Sequence, residues 1–221
     1  MKIKKVFILV DNPRSWFLNF AKILKNIIKK KNISCTLVTN AKKLNKKADL
    51  CFYLSCTKIT RNKTLAQFKK NIVVHGSNLP IGRGHAPWIW KILSGSNKIN
   101  LSLFEIDPSN SKPDSGPIYL REKIQLKGTE LLDDIRFILA KNIINMCVKF
   151  IEHMKKKKNF RPRKQIGKGT FYRMRKPEDQ ELNLKKNIIS QLNLFRTADN
   201  YRWPVFFKYK KIKYILKVYK S

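Results

Sequence analysis

A histidine, His75, closes the apolar run 72–74 in "NIVVHGSNLPIGRGHAPWIWKI", and an aspartate, Asp114, stands in the turn-rich "EIDPSNSKPDSGPIY". An imidazole and a carboxylate brought together can take a proton from a reacting amine and hold the charge that results, which is general acid–base chemistry. By spacing alone each residue also has an ordinary use, His75 as a hydrogen-bonded strand end and Asp-Ser-Gly as a turn. Cys35, Cys51, Cys56 and Cys147 offer little competition. They form no Cys-x-x-Cys pair, three lie in apolar surroundings, and with only His75, His85 and His153 beside them no zinc spacing emerges. No metal site is expected.

The elements that must position His75 and Asp114 read as an alternation of strands and helices. Strands are expected at 3–10, 34–38, 50–54, 72–74, 101–106 and 117–124. Between them fall a helix over 16–30, a short one near 65–68, and one starting at Ala86 or Pro87, where proline suits a first helical turn. A long helix over 130–154 carries Leu131, Leu132, Ile135, Ile138 and Leu139 on one stripe. The pattern predicts an α/β fold with a doubly wound, mostly parallel sheet, in which ligands bind at the carboxyl ends of the strands. His75 sits on that edge, and Asp114 joins it if the strand before it runs parallel to the strand ending at His75.

Three regions are expected: a catalytic domain over 1–154, a basic linker or loop over 155–168 ("KKKKNFRPRKQIGK"), and a small module over 169–221. That module reads as a short helix around 185–194 followed by a hairpin, because "WPVFFKYKKIKYILKVY" alternates apolar and basic residues around Lys210-Lys211.

The net charge of +35 on 221 residues invites a nucleic-acid reading. Lys outnumbers Arg 38 to 11, however, and the excess is spread along the chain: +18 over residues 1–153 and +17 over 154–221. Clustering of Arg and aromatics on one face, the usual mark of a dedicated binder, is missing. The same field attracts anionic small molecules. No window of 18 or more apolar residues occurs, so no membrane span is expected. "MKIKKVFILVDNP" reads as a first strand rather than a leader, and a cytoplasmic protein is the expectation.

The longer pattern resembles a known family. His75, Ser77, Leu79, Pro80, Arg83, Gly84, Pro87 and Trp90, followed by Asp114 and Gly116 before a strand, is similar to the signature of the formyltransferases that use 10-formyltetrahydrofolate. The later stretch "FYRMRKPEDQELNLKKNIISQLNLFRTADNYRWPVFF" and the opening Asp11–Trp16 segment resemble the sugar N-formyltransferase branch, in particular the group acting in pseudaminic-acid-type pathways.

The resemblance implies transfer of a formyl group from 10-formyltetrahydrofolate to the amine of a nucleotide-linked amino sugar, with His75 and Asp114 catalytic. It places the folate against Leu54, Ser55, Cys56, Pro80, Arg83 and Gly84. Asn12, Ser15, Trp16, Asn78, Arg175, Arg196 and Tyr201 become candidates for the acceptor. Trp16 has core packing as its ordinary alternative, and Arg83 has the holding of its own loop. Many members carry Asn two residues before the histidine; here that position is Val73, and Asn78 is the candidate substitute donor. Two other readings stay open: a methionyl-tRNA formyltransferase, against which stands the lack of a large C-terminal barrel, and a noncatalytic nucleic-acid-binding protein of the same fold. A nucleic-acid or membrane partner is not expected, and a homodimer is one open possibility.

Overall fold

Strand β1 (Lys5–Leu9) is buried along nearly its whole length, as a strand must be when both faces of its sheet are covered. Helix α1 (Leu18–Lys30) follows, with Ala21, Leu24 and Ile28 at helical spacing turned into the core. Next come β2 (Ser34–Val38), β3 (Ala48–Tyr53), the one-turn α2 (Asn62–Leu65) and β4 (Phe68–His75). The two-residue β5 (Arg83–Gly84), α3 (Pro87–Leu93), β6 (Lys98–Glu105), β7 (Ile118–Gln125) and the 25-residue α4 (Leu132–Lys156) complete the main body. Beyond it lie β8 (Phe171–Tyr172), α5 (Leu192–Arg196) and a hairpin of β9 (Val205–Tyr209) and β10 (Ile212–Leu216). This computed structural model describes residues 2–106, 112–156 and 160–221. Part of the loop before Asp114 and three residues of the basic linker therefore lie outside the described residues.

The main sheet has the order β2-β1-β3-β4-β6-β7. Its first four strands are parallel, giving the expected α/β architecture with a mostly parallel sheet. One expectation needs correcting: β6 runs antiparallel to β4, and β7 antiparallel to β6. A parallel return would need a crossover spanning the length of β4, about 26 Å for eight residues. Helix α3, with seven residues, is about 10 Å long, because the preceding residues are used in the loop that lines the strand exits. The chain re-enters the sheet without having been carried back.

The two faces differ in cover. On one, α1, α3 and α4 pack over Ile8, Phe52, Ile72, Val74, Leu101 and Leu103, with Phe17, Leu24 and Phe150 filling the space between. Fully burying such an aromatic or aliphatic side chain contributes about 1.5–3 kcal/mol. On the other, Phe7, Leu9, Val38, Cys51, Tyr53 and Phe68 of the strands are covered by Leu44 and Leu65 from short connecting segments. Alternation along β4 assigns Val73 and His75 to this thinner side. Asn71, buried on the same side, is satisfied there: Tyr53 donates its hydroxyl to Oδ1 at 2.8 Å, and Nδ2 donates to the Leu65 carbonyl at 3.0 Å.

Several boundaries shift. Strand β4 begins four residues before the apolar core 72–74, because it pairs with β3 from Ala48↔Phe68 onward. The helix expected over 185–194 is confined to a 3₁₀ turn at Ile189–Gln191 and α5. Upstream, Asn183 and Asn187 accept from the backbone N–H groups of Lys185 and Ser190, local turns that compete with a helix. The hairpin turns at Lys210-Lys211, both with positive φ (47° and 66°), the handedness that two-residue hairpin loops favour. Among the described residues no helix is long and apolar enough to cross a membrane.

Candidate active site

His75 ends β4 and Asp114 reaches it by a route the sequence did not suggest. Because β6 is antiparallel, it passes His75 at Ser102, and its last residue, Glu105, lies opposite Ile72. The connection to β7 therefore has to fold back along the sheet. It arrives with Asp114 at φ 53°, and the carboxylate Oδ2 stands 3.8 Å from His75 Nε2. Both side chains are mostly shielded, 11% and 20% exposed, so their mutual field is less screened than at a surface.

His75 Nε2 also lies 2.9 Å from the carbonyl oxygen of Gly82. A carbonyl only accepts, so Nε2 carries the proton and Nδ1 is the basic nitrogen of the neutral ring. Asp114 Oδ2 in turn accepts the backbone N–H of Gly84 at 2.9 Å. A ring that accepted a second proton at Nδ1 would find a carbonyl and a carboxylate already beside its other N–H. The arrangement is that of a base with its orienting group.

The loop between β4 and α3 is held from the far end of the chain. Thr170 supplies its hydroxyl to the Gly82 N–H at 2.9 Å and its carbonyl to the Arg83 N–H at 2.9 Å, and β5 pairs with β8 in parallel. Gly84 has φ 93°, and a Cβ there would lie 2.3 Å from the Tyr172 carbonyl oxygen, so only glycine permits this approach. Gln165 bridges two loops: its Nε2 donates to the carbonyls of Asp114 and Gly116, both at 2.8 Å, and its Oε1 accepts from Arg83 at 2.9 Å. Within the stretch expected as a linker, then, the chain connects and also packs, with Phe160 against Tyr119, Phe150 and His153, and Arg163 bridging Ile118.

The remaining candidates divide. At the strand exits, the Ser15 hydroxyl donates to Ser55 Oγ at 3.1 Å, joining the ends of β1 and β3. Ser55 has φ 53°, Leu54 is buried in the core, and Asn12 Oδ1 accepts from the Arg14 N–H. Trp16 packs edge-on against Phe17 and Phe20, a core role. Leu79–Pro80 is a cis peptide.

Arg83 is turned onto Gln165 and Gly169 rather than into open space, so it holds its own loop. Asn78 is exposed on the rim of a cleft of about 530 Å³ whose lining includes Arg121, Ile166 and Lys168 but not His75. It therefore does not replace the missing Asn at Val73, whose side chain packs against Leu79, Phe104 and Ile118.

The C-terminal candidates each have partners within the chain. Arg196 is 2% exposed, bonded to Asn97 and Asn193 and facing Glu130, so it is committed to the junction with α4. Glu130 is correspondingly held below the usual carboxylate range: burial works to raise it, and the N–H groups of Lys127 and Gly128 with Arg196 nearby outweigh that. Arg175 lies over Trp203 and donates to Gln180. Tyr201 is exposed beneath the ammonium of Lys217. Its neighbour Arg202, unmarked in the sequence reading, donates to the Arg14 carbonyl and so brings this turn to the exit of β1.

No thiol competes with this chemistry. Burial raises Cys56 to about 12, reinforced by the charge of Asp11, and raises Cys35 to about 11. Cys51 and Cys147 are pushed up by burial as well. All four are protonated at neutral pH, so iodoacetamide should alkylate the native protein roughly a thousandfold more slowly than a free thiol, whose ordinary pKa is about 8.5. Unfolding in guanidinium should release four fast-reacting thiols; one fast thiol in the native protein would contradict this.

No protein-family model matches the chain. By sequence it is 27% identical over 140 residues to a methionyl-tRNA formyltransferase of Thermodesulfovibrio yellowstonii, and 26% identical over 148 residues to that of Mycoplasma genitalium. These matches take in 63% and 66% of the chain but 44% and 46% of those proteins, so the chain spans less than half the length of these relatives. Among solved structures it superposes on a methionyl-tRNA formyltransferase from Clostridium thermocellum with TM-score 0.81 and 22% identity, over 99% of the chain and 94% of that one. A 4-N formyltransferase from Francisella tularensis gives 0.70 and 19%, covering 99% of each chain. HypX from Aquifex aeolicus, in complex with tetrahydrofolic acid, gives 0.76 and 14%, over 99% of the chain and 38% of HypX. The fold is the one shared by these proteins, two of which are formyltransferases by name.

Proposed function

We propose that the chain transfers a formyl group from 10-formyltetrahydrofolate to a primary amine, and that the amine belongs to a nucleotide-linked amino sugar. The observation that carries this reading is the His75–Asp114 pair, 3.8 Å apart on the thinly covered side of the sheet. The donor set fits a folate-borne formyl group: an imidazole whose basic nitrogen no described residue occupies and a shielded carboxylate, with every thiol held protonated. When bound, the folate supplies an activated acyl carbon; the protein's task is to manage protons and charge around it.

His75 Nδ1 accepts the proton of the attacking amine, and the resulting imidazolium is held through Nε2 by the Gly82 carbonyl and Asp114. The proton is then available for the departing nitrogen. The Ser15–Ser55 junction forms the floor at the exits of β1 and β3. Strand β1 stands two places from β4 in the sheet, about 10 Å away at ordinary strand spacing. Arg202 donates to the Arg14 backbone carbonyl there, and in this reading the two guanidinium groups receive the diphosphate of the acceptor.

Purified chain given 10-formyltetrahydrofolate and a panel of nucleotide-linked amino sugars should yield a product heavier by one CO. A second reading has its own support, in the names of the curated relatives and in the +35 charge: the amine of methionyl-tRNA. Methionyl-tRNA belongs in the same panel. Its formylation, with every sugar untouched, replaces the first reading by the second; no formylated product from any amine sinks both.

A further inference from the structure

We propose that Gln165 is a positioning residue for the reaction, setting the place of the Asp114 carboxylate from the middle of the basic stretch. The inference rests on the formyl-transfer reading above. Which end of the Gln165 amide faces which way follows from its partners, since two carbonyls need the donor and a guanidinium needs the acceptor. Both hydrogens on Nε2 are used, on Asp114 and Gly116, and Oε1 takes Arg83. One side chain thus fastens the loop that carries the catalytic carboxylate to the loop that receives it through Gly84.

Among the described residues, Gly84 and Gln165 are hydrogen-bonded to Asp114. The preceding strand β6 passes His75 at Ser102 and ends opposite Ile72, so Asp114 is not carried to His75 by the strand, and its own backbone has a positive φ. The backbone of 114–116 is fixed to the opposite loop through the Gln165 amide. From there the carboxylate meets the Gly84 N–H and lies 3.8 Å from His75. Slackening the loop by a fraction of a bond length leaves the acid–base pair present but misplaced.

Two variants separate the parts. Gln165→Met removes all three bonds at nearly constant volume. Gln165→Glu keeps the acceptor for Arg83 and abolishes both donations, and it decides the matter should the Met variant fail to fold. Each should lower kcat by up to about a hundredfold while KM for the formyl donor stays within about threefold, the pattern of a misplaced group rather than a lost binding contact.

A readout independent of turnover is the backbone amide resonance of Gly84, bonded to the Asp114 carboxylate, which should move in both variants. Variants with kcat within about threefold of wild type overturn the proposal, and so does an unmoved Gly84 resonance. Wild-type protein that turns over no amine counts against formyl transfer instead, because the Gly84 resonance still reports whether Gln165 sets the carboxylate.

Discussion

Asp114→Asn is expected to lower kcat for formyl transfer by about a hundredfold or more, within the range that positioned proton transfer contributes, while the fold survives. The amide oxygen of Asn can still accept the Gly84 N–H, so the loop keeps its anchor. What disappears is the negative charge facing His75 Nε2. His75→Ala should cost at least as much, since it removes the base itself. The two groups act as a unit, so the double variant should be little worse than His75→Ala alone. Steady-state kinetics with thermal melts of each variant make the test, and near-wild-type kcat in either single variant would refute its assigned role.

Gly116→Ala should damage both stability and activity. A Cβ at this position would lie 1.7 Å from the carbonyl oxygen of Glu105 and 2.9 Å from its carbon, and both atoms belong to the backbone of β6. No flexible side chain is there to yield. The strand pair must part where Pro117 accepts the Glu105 N–H, and Gly116 must also abandon its bond to Gln165. The expected destabilisation is about 3 kcal/mol, near the upper end for single substitutions. For a chain of this size that lowers Tm by roughly 6–12 °C. Activity should fall further than unfolding explains, because Asp114 is two residues away. An unchanged melting temperature would mean that β6 and β7 can separate freely at this point.

The strands and helices of the first hundred residues were legible because they are made of nearby periodicity. Val6–Val10 is apolar without interruption, and Ala21, Leu24 and Ile28 share a helical face; near the other end of the chain Lys210-Lys211 breaks an alternating pattern in the same local way. His75 and Asp114 were legible by type and by the spacing of the residues around them. The direction of β6 was not, since strand polarity depends on how far a connection travels and leaves no trace in local pattern. A parallel strand would have carried Asp114 to the strand-exit edge directly; with β6 antiparallel, Asp114 nevertheless stands 3.8 Å from His75. Arg196 shows the same limit from another side. An arginine in a basic module reads as available for phosphate, and only its burial beside Glu130 and Asn97 reveals that it is already engaged. Gln165, neutral amid a run of lysines and arginines, carried no signal at all.

The bonds that complete the site span long stretches of chain: Arg83 to Gln165 across 82 residues, and Gly82 to Thr170 across 88. Contacts of such separation form after local ones, since the intervening chain must first be ordered. During synthesis, the sheet from β1 to β7 can be in place while the loops around His75 still wait for residues 165–172 to emerge. The geometry around His75 is therefore completed late in the life of the molecule, and a nascent chain halted within α4 would hold both His75 and Asp114 without the residues that fasten their loops.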